Sequence, residues 1–331
     1  MTGRSVNGDG GVARSGSRAL SVLATPINGT ILRCLEGGPR PLTDLRRECG
    51  SPAQTTLRAH LEELSELQAV LRHRRNRFPG VVECELTVAG RELVFVLNVV
   101  ERWLQMAPDG PLAFGSDAAK AAIKALVDGW SSMMLRLLAA RPLSLTELDG
   151  IIESLSYPSL QRRLTAMRIA GQLKPCPGEG KGTSPYGVTR WLRLGVGPLA
   201  AASRWERRHL PEETPPITPI DTEAGFLLTL PLLRLPEDMS GSCRLGVEMT
   251  RGEERRLAGA LAQVEGGQVK TMTVRLNQTA DAWAIGSAAD WLHALIDADP
   301  AGLEVGGRGE LGRALVSALH GALFKEPAYA G

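Results

Sequence analysis

The sequence predicts a mainly α protein that ends in an α+β portion, and three observations carry that expectation. A segment of about 90 residues occurs twice in near-constant register. Within each copy the apolar periodicity runs helix, helix, helix, hairpin, helix. Beyond a proline-rich stretch the pattern changes to alternating strands around a hairpin signal.

The repeat places Ile31–Val70 over Met134–Leu173 at a constant offset of 103, where Leu32, Arg33, Leu35, Pro39, Leu42, Thr43, Leu45, Ser51, Leu57 and Leu61 meet identical residues. After one deletion the offset is 102, and Thr87, Arg91, Leu97, Arg102 and Trp103 meet Thr189, Arg193, Leu199, Arg204 and Trp205. The implied organisation is a flexible N-terminus (1–16), a first copy (17–106), a linker (107–117), a second copy (118–210), a proline-rich linker (211–219) and a C-terminal domain (220–331).

In the first copy, Leu20–Leu35 is apolar at helical spacing and stops at Gly37-Gly38-Pro39. Leu42–Cys49 reads as a short second helix. Ser51-Pro52 reads as an N-cap and first-turn proline opening a third, whose stripe is Leu57, Leu61 and Leu64. Ala69–Phe78 and Val82–Val88 read as strands around a basic turn, and Leu93–Leu104 as a closing helix. Three helices with a tight turn before the third, followed by a hairpin, make a winged helix-turn-helix. The third helix is then expected in the major groove and the hairpin on the backbone or minor groove. Gln54, Thr55 and Arg58 lie off the apolar stripe and are the expected base readers. Arg72, Arg74, Arg75 and Arg77 crowd the hairpin, and such a cluster is costly unless it is solvated or neutralised by an anion such as phosphate. A merely solvated loop is the plainer alternative.

In the second copy, Ser156 is the expected cap, and Ser159, Gln161, Arg162 and Arg163 flank the stripe of Leu160, Leu164 and Met167. Its wing, Lys174–Tyr186, is rich in Gly and Pro and brings only Lys174 and Lys181 to DNA. This copy either tracks DNA loosely or is kept for architecture alone.

In the C-terminal third, Thr222–Leu233 reads as a helix broken near Pro231. Ser242–Thr250, Arg256–Val264, Gln268–Leu276, Asp281–Ile285 and Leu303–Val305 read as strands. Ser287 caps a helix carrying Trp291, and Glu310–Phe324 closes the chain. The expected fold class is therefore two tandem winged helix-turn-helix domains followed by an α+β domain with an open antiparallel sheet.

The net charge of +2 hides a polarity: residues 118–210 hold fourteen basic and six acidic side chains, and residues 211–331 hold ten and seventeen. A basic middle beside an acidic end suggests that one part faces a polyanion and the other does not. The five cysteines form no CxxC pair and read as small reduced hydrophobes. No histidine has metal-ligand spacing, and no nucleophile, base and orienting group assemble, so no metal, cofactor or enzyme activity is expected. Gly178–Thr183 lacks the full phosphate-loop pattern, and Gly195–Ala200 lacks the βαβ unit a dinucleotide fingerprint needs. No run of about 18 apolar residues and no signal-peptide core occurs, so a cytoplasmic, nucleoid-associated protein without a membrane partner is expected.

Both copies resemble the HxlR family, a MarR-like group of bacterial regulators. The resemblance rests on Ile31-Leu32-Arg33, Asp128-Gly129-Trp130, Pro41–Leu45, Leu143–Leu148, Leu57–Leu61, Ser156–Leu164, Glu85–Arg91 and Tyr186–Thr189. It implies a homodimer-forming transcription factor with its third helix on DNA. The duplication leaves open whether one chain already makes the two-fold pair. Asp281–Trp291 and Leu303–Arg308 are similar to the sterol-carrier-protein-2-like fold, although Gly306-Gly307 stands where that family often has Gly-Asp. That resemblance implies an apolar cavity, with Leu245, Val247, Met249, Leu261, Met272, Val274, Trp283 and Trp291 as candidate ligand contacts; the plain alternative is that they fill a core. The functional expectation is a regulator of operator DNA controlled by a hydrophobic small molecule bound in the C-terminal domain. The alternative is a small-molecule sequestering or carrier protein that keeps the winged helices as scaffold.

Overall fold

The computed structural model describes residues 14–74, 82–177, 184–251 and 254–324. The first unit comprises α1 (Ser17–Leu23), α2 (Pro26–Glu36), β1 (Arg40–Pro41), α3 (Leu42–Glu48), α4 (Gln54–Glu66), β2 (Val70–Arg74), β3 (Val82–Leu86) and α5 (Val88–Gln105). The second comprises α6 (Asp117–Gly129), α7 (Ser132–Ala140), α8 (Leu145–Ile151), α9 (Tyr157–Ile169), β4 (Leu173–Pro175), β5 (Tyr186–Val188), α10 (Arg190–Leu194) and α11 (Val196–His209).

The helix expected over Leu20–Leu35 is broken at a proline, into α1 and α2. Pro26 opens α2 after an extended Thr25, because proline cannot supply the N–H that a continuous Leu20–Leu35 helix would need there. Pro198 likewise cannot donate to the carbonyl of Leu194, and the chain divides at Gly195 into α10 and α11, whereas α5 runs unbroken. The expected serine caps also differ. Ser51 takes a left-handed φ of 57° and Ala53 occupies the N-cap of α4; Ser156 occupies the N-cap of α9 but its hydroxyl makes no capping bond.

The joint between third helix and hairpin is built the same way in both units. Thr87 caps α5, its N–H donates to the Ala69 carbonyl, and its hydroxyl donates to the Gln68 carbonyl. Thr189 caps α10, its N–H donates to the Gln172 carbonyl, and its hydroxyl donates to the Gly171 carbonyl. Gln68 and Gly171 both end their helices in the left-handed region.

The C-terminal portion comprises α12 (Pro219–Thr229), a 3-10 turn Leu230–Leu232, β6 (Gly241–Arg251), β7 (Glu254–Glu265), β8 (Gln268–Thr273), β9 (Ala282–Gly286), α13 (Ala288–Ile296), β10 (Glu304–Gly307) and α14 (Gly309–Phe324). Its sheet has the order β10-β9-β6-β7-β8. The antiparallel expectation needs correction at one place, since β9 runs parallel to β6 with Leu245 opposite Ala284. The β7–β8 hairpin separates β6 from β9 in sequence, so the chain returns to the free edge of β6 in the same direction. Ser287 and Asp290 form a full capping box on α13, as the sequence expects of Ser287. Helices α12, α13 and α14 all pack on β6, and α12 also packs along α7, joining this sheet to the second unit.

The two basic units meet through their closing helices, with α5 packed on α11. Trp103 and Trp191 stack with ring centroids 4.6 Å apart and 13° between planes. Each indole N–H donates to the other residue's carbonyl, Trp103 Nε1 at 3.0 Å and Trp191 Nε1 at 2.8 Å. The chain between them is also docked: the Phe114 ring lies where a Cβ on Gly29 would stand, and the Leu112 N–H returns to the Leu104 carbonyl.

Glu206 ties the start of the chain to this core. Its two carboxylate oxygens accept from the backbone N–H groups of Gly16 (2.7 Å) and Ala19 (2.8 Å) at the open end of α1. Burial raises its pKa above the ordinary 4.5, and those backbone bonds only partly oppose the shift. A carboxyl with a raised folded pKa holds its proton more tightly when folded, so this group's contribution to stability falls as pH rises from about 4.5 through the folded value. Urea unfolding from pH 4.5 upward should therefore show a smaller loss in Glu206→Gln than in the parent. Equal slopes would mean that Glu206 titrates as it does in the unfolded chain.

Candidate nucleic-acid interface

Helix α4 buries Leu57, Leu61 and Leu64 completely. That fixes its rotation about its own axis and leaves Gln54, Thr55 and Arg58 exposed on the other side. Gln54 and Arg58 are four residues apart and so share a face. Among the described residues Arg58 makes no ion pair, and its five donors are available.

The hairpin behind α4 is only partly described. Arg72 on β2 does not project freely, because its guanidinium reaches back to Glu62 of α4 at 2.5 Å. Arg74 ends β2, its side chain lies outside the described residues, and Arg75 and Arg77 lie outside them altogether. The sequence reading missed Arg46. Its Nε donates to the Pro52 carbonyl at 2.8 Å, which places an exposed guanidinium at the entry to α4. The doublet Arg46-Arg47 late in the second helix was the available signal.

Helix α9 repeats the arrangement with other side chains. Leu160, Leu164 and Met167 are buried, Gln161 and Arg162 are exposed, and Ser159 is half-buried. Arg163 is turned inward: it donates to the carbonyls of Asp128 (2.5 Å) and Trp130 (3.0 Å), closing the C-terminal end of α6. Burial lowers its pKa, with Arg162 adding to the shift. It satisfies α6 carbonyls and is not a base reader. Lys174 is exposed on β4; Lys181 lies outside the described residues.

The eight apolar candidates of the C-terminal sheet do not line one cavity. Leu245 and Val247 are fully buried on the face covered by the helices. Trp291 reaches the same layer from α13, donating to the Gly246 carbonyl at 2.8 Å and meeting Phe226 edge-on at 4.5 Å. Met249 shares their side of β6 and Met272 pairs with Ala262, both half-buried, while Val274 lies past the end of β8 and is 43% exposed. Leu261 and Trp283 pair with Arg244 and so lie on the opposite face. Gly306 is explained by Trp283, whose ring would come within 2.3 Å of a Cβ there. Gly307 has φ 65° and no room beside the Asp281 carbonyl, so an aspartate would be strained there. A cleft of about 570 Å³ lies elsewhere, between the 107–112 segment, α6 and α9, with Ala121, Ala125, Ala166, Ile169 and Trp191 among its walls and Lys124 at its rim.

The five cysteines are free, and burial pushes the thiols of Cys49 and Cys243 up to about 12, so both are protonated near neutral pH. Among the described residues no group of His, Cys, Asp or Glu could hold a metal ion, and no helix is long and apolar enough to cross a membrane.

This geometry, a polar helix face set beside a hairpin, agrees with what comparison with known proteins finds. Residues 23–109 match the family model described as HxlR-like helix-turn-helix, so the first unit is an HxlR-like helix-turn-helix domain. Among solved structures, the reduced form of the transcriptional regulator YodB from B. subtilis is 28% identical to the chain. That match covers 28% of this chain and 91% of YodB, with a TM-score of 0.26. No curated protein matches.

Proposed function

We propose that the chain is a DNA-binding transcriptional regulator, with two tandem winged-helix units as its reading heads and the acidic C-terminal portion held off the phosphates. The observation that carries this reading is the exposed Gln54, Thr55 and Arg58 face of α4 within the HxlR-like domain. Its residue types are those that pair with base edges, and Arg58 is not engaged elsewhere among the described residues. The second unit enters on its matching element order and matching Thr189 joint. Gln161, Arg162, Lys174 and Lys181 are its DNA contacts, with Ser159 closer to the helix packing. Arg74, Arg75 and Arg77 neutralise phosphates. The sterol-carrier-like reading of the C-terminal portion is supported by its five-stranded sheet with helices on one face.

Control by a hydrophobic small molecule finds better support at the α6–α9 cleft than on the sheet. That cleft falls within the usual size range of ligand pockets, and part of its wall is the last turn of α9. A ligand there shifts DNA affinity only by preferring one placement of α9 over another.

The test is retardation of duplex DNA from upstream of the chain's own coding region, at about 50 and about 200 mM salt, with and without an apolar extract. Specific retardation that weakens steeply with salt is expected. Absence of any retardation at the lower salt, with an apolar ligand co-purifying, would favour the sequestering protein instead.

A further inference from the structure

The indole bonds between the units follow a rule. Trp103 Nε1 donates to the Trp191 carbonyl at 3.0 Å, and Trp205 Nε1 donates to the Ala89 carbonyl at 2.8 Å. At the offset of 102, Trp205 corresponds to Trp103 and Trp191 corresponds to Ala89. The two bonds are one contact made twice in opposite senses, which is the signature of an isologous, two-fold interface. All three indoles are at least 97% buried, so this interface is used up within a single chain.

The two third helices also correspond end to end. Helix α4 spans Gln54–Glu66 and α9 spans Tyr157–Ile169, an offset of 103 at both ends, and their buried stripes Leu57, Leu61, Leu64 and Leu160, Leu164, Met167 coincide. Equal rotation puts Arg58 and Gln161 at the same place on their faces, both exposed. Arginine pairs bidentately with guanine O6 and N7, whereas glutamine pairs bidentately with adenine N6 and N7. Their surroundings differ too, since Arg46 and Arg47 of α3 correspond to Asp149 and Gly150 of α8.

We propose that one chain is a complete two-fold reader of an asymmetric duplex, an inverted pair of unlike half-sites with guanine facing Arg58 in one and adenine facing Gln161 in the other. This rests on the DNA-binding reading above and specifies its substrate. A second chain is not needed, because the reciprocal indole bonds already supply the two-fold. A perfect palindrome is a poorer target, because one of the two faces is mismatched on it.

The experiment selects duplexes from a randomised library with the full chain at fixed salt, and measures the mass of the complex by light scattering. The expected complex holds one chain of 35.4 kDa per duplex, and the selected sequences show inverted half-sites that differ at the guanine/adenine position. Arg58→Gln should move the preference at that base from guanine to adenine in one half-site only, by about tenfold to a hundredfold. Gln161→Arg should do the reverse in the other half. Both residues are exposed, so neither variant threatens the core. Two chains per duplex, identical half-sites, or an unchanged preference in both variants would overturn the single-chain reading while leaving DNA binding intact. No binding to any duplex would overturn both.

Discussion

Trp103→Ala is expected to cost about 3–5 kcal/mol of unfolding free energy. Three separate effects converge on that side chain. It is 1% exposed, so truncation leaves a cavity that neighbouring helices cannot readily fill. Its ring stacks on Trp191, and a stacked aromatic pair contributes beyond the area it buries. Its indole N–H satisfies the Trp191 carbonyl, which would lose that buried donor. Because α5 and α11 meet at this point, the loss should also loosen one unit from the other. Urea unfolding should show a lower midpoint and, if the units separate, a transition that is no longer single. A loss below about 1 kcal/mol with one sharp transition would mean that the units are held by other contacts.

The second large effect concerns DNA. Arg74→Ala combined with Arg75→Ala should weaken binding to every duplex alike, by about tenfold to thirtyfold near physiological salt, and should flatten the salt dependence. Each phosphate contact contributes about 0.9 to the slope of log affinity against log salt, so two lost contacts flatten it by about 1.8. Arg72→Ala should change the slope much less, since Arg72 is paired with Glu62 and brings a smaller free charge to the backbone. An unchanged slope in the double variant would remove the wing from the interface, and a loss confined to one sequence would make these arginines base readers.

Much of the local structure was legible because local rules set it. The stripe of Leu57, Leu61 and Leu64 announced both the existence of α4 and its buried side, and therefore which of its residues face outward. Ser287 announced the start of α13. The misreadings were local conflicts settled by context. Pro26 broke a helix whose apolar periodicity continued across it, and Ser51 was drawn into a left-handed turn instead of a cap. The direction of β9 was not legible, because alternation reports which face a residue takes and not which neighbour its strand will find.

By itself, the sequence determined the element order of the first unit, the outward polar face of its third helix and the division of charge between the middle and the end. All of these are set by residues within a turn or two of one another, or by counting. Only the tertiary structure decided that Arg163 caps α6, that Arg72 belongs to Glu62, that the sheet candidates divide between two faces, and that Trp103 and Trp205 find carbonyls in the opposite unit. Each of these depends on where a side chain meets a partner distant in the chain. An arginine or an indole has the same hydrogen-bonding capacity wherever it stands, and only packing selects the acceptor that satisfies it.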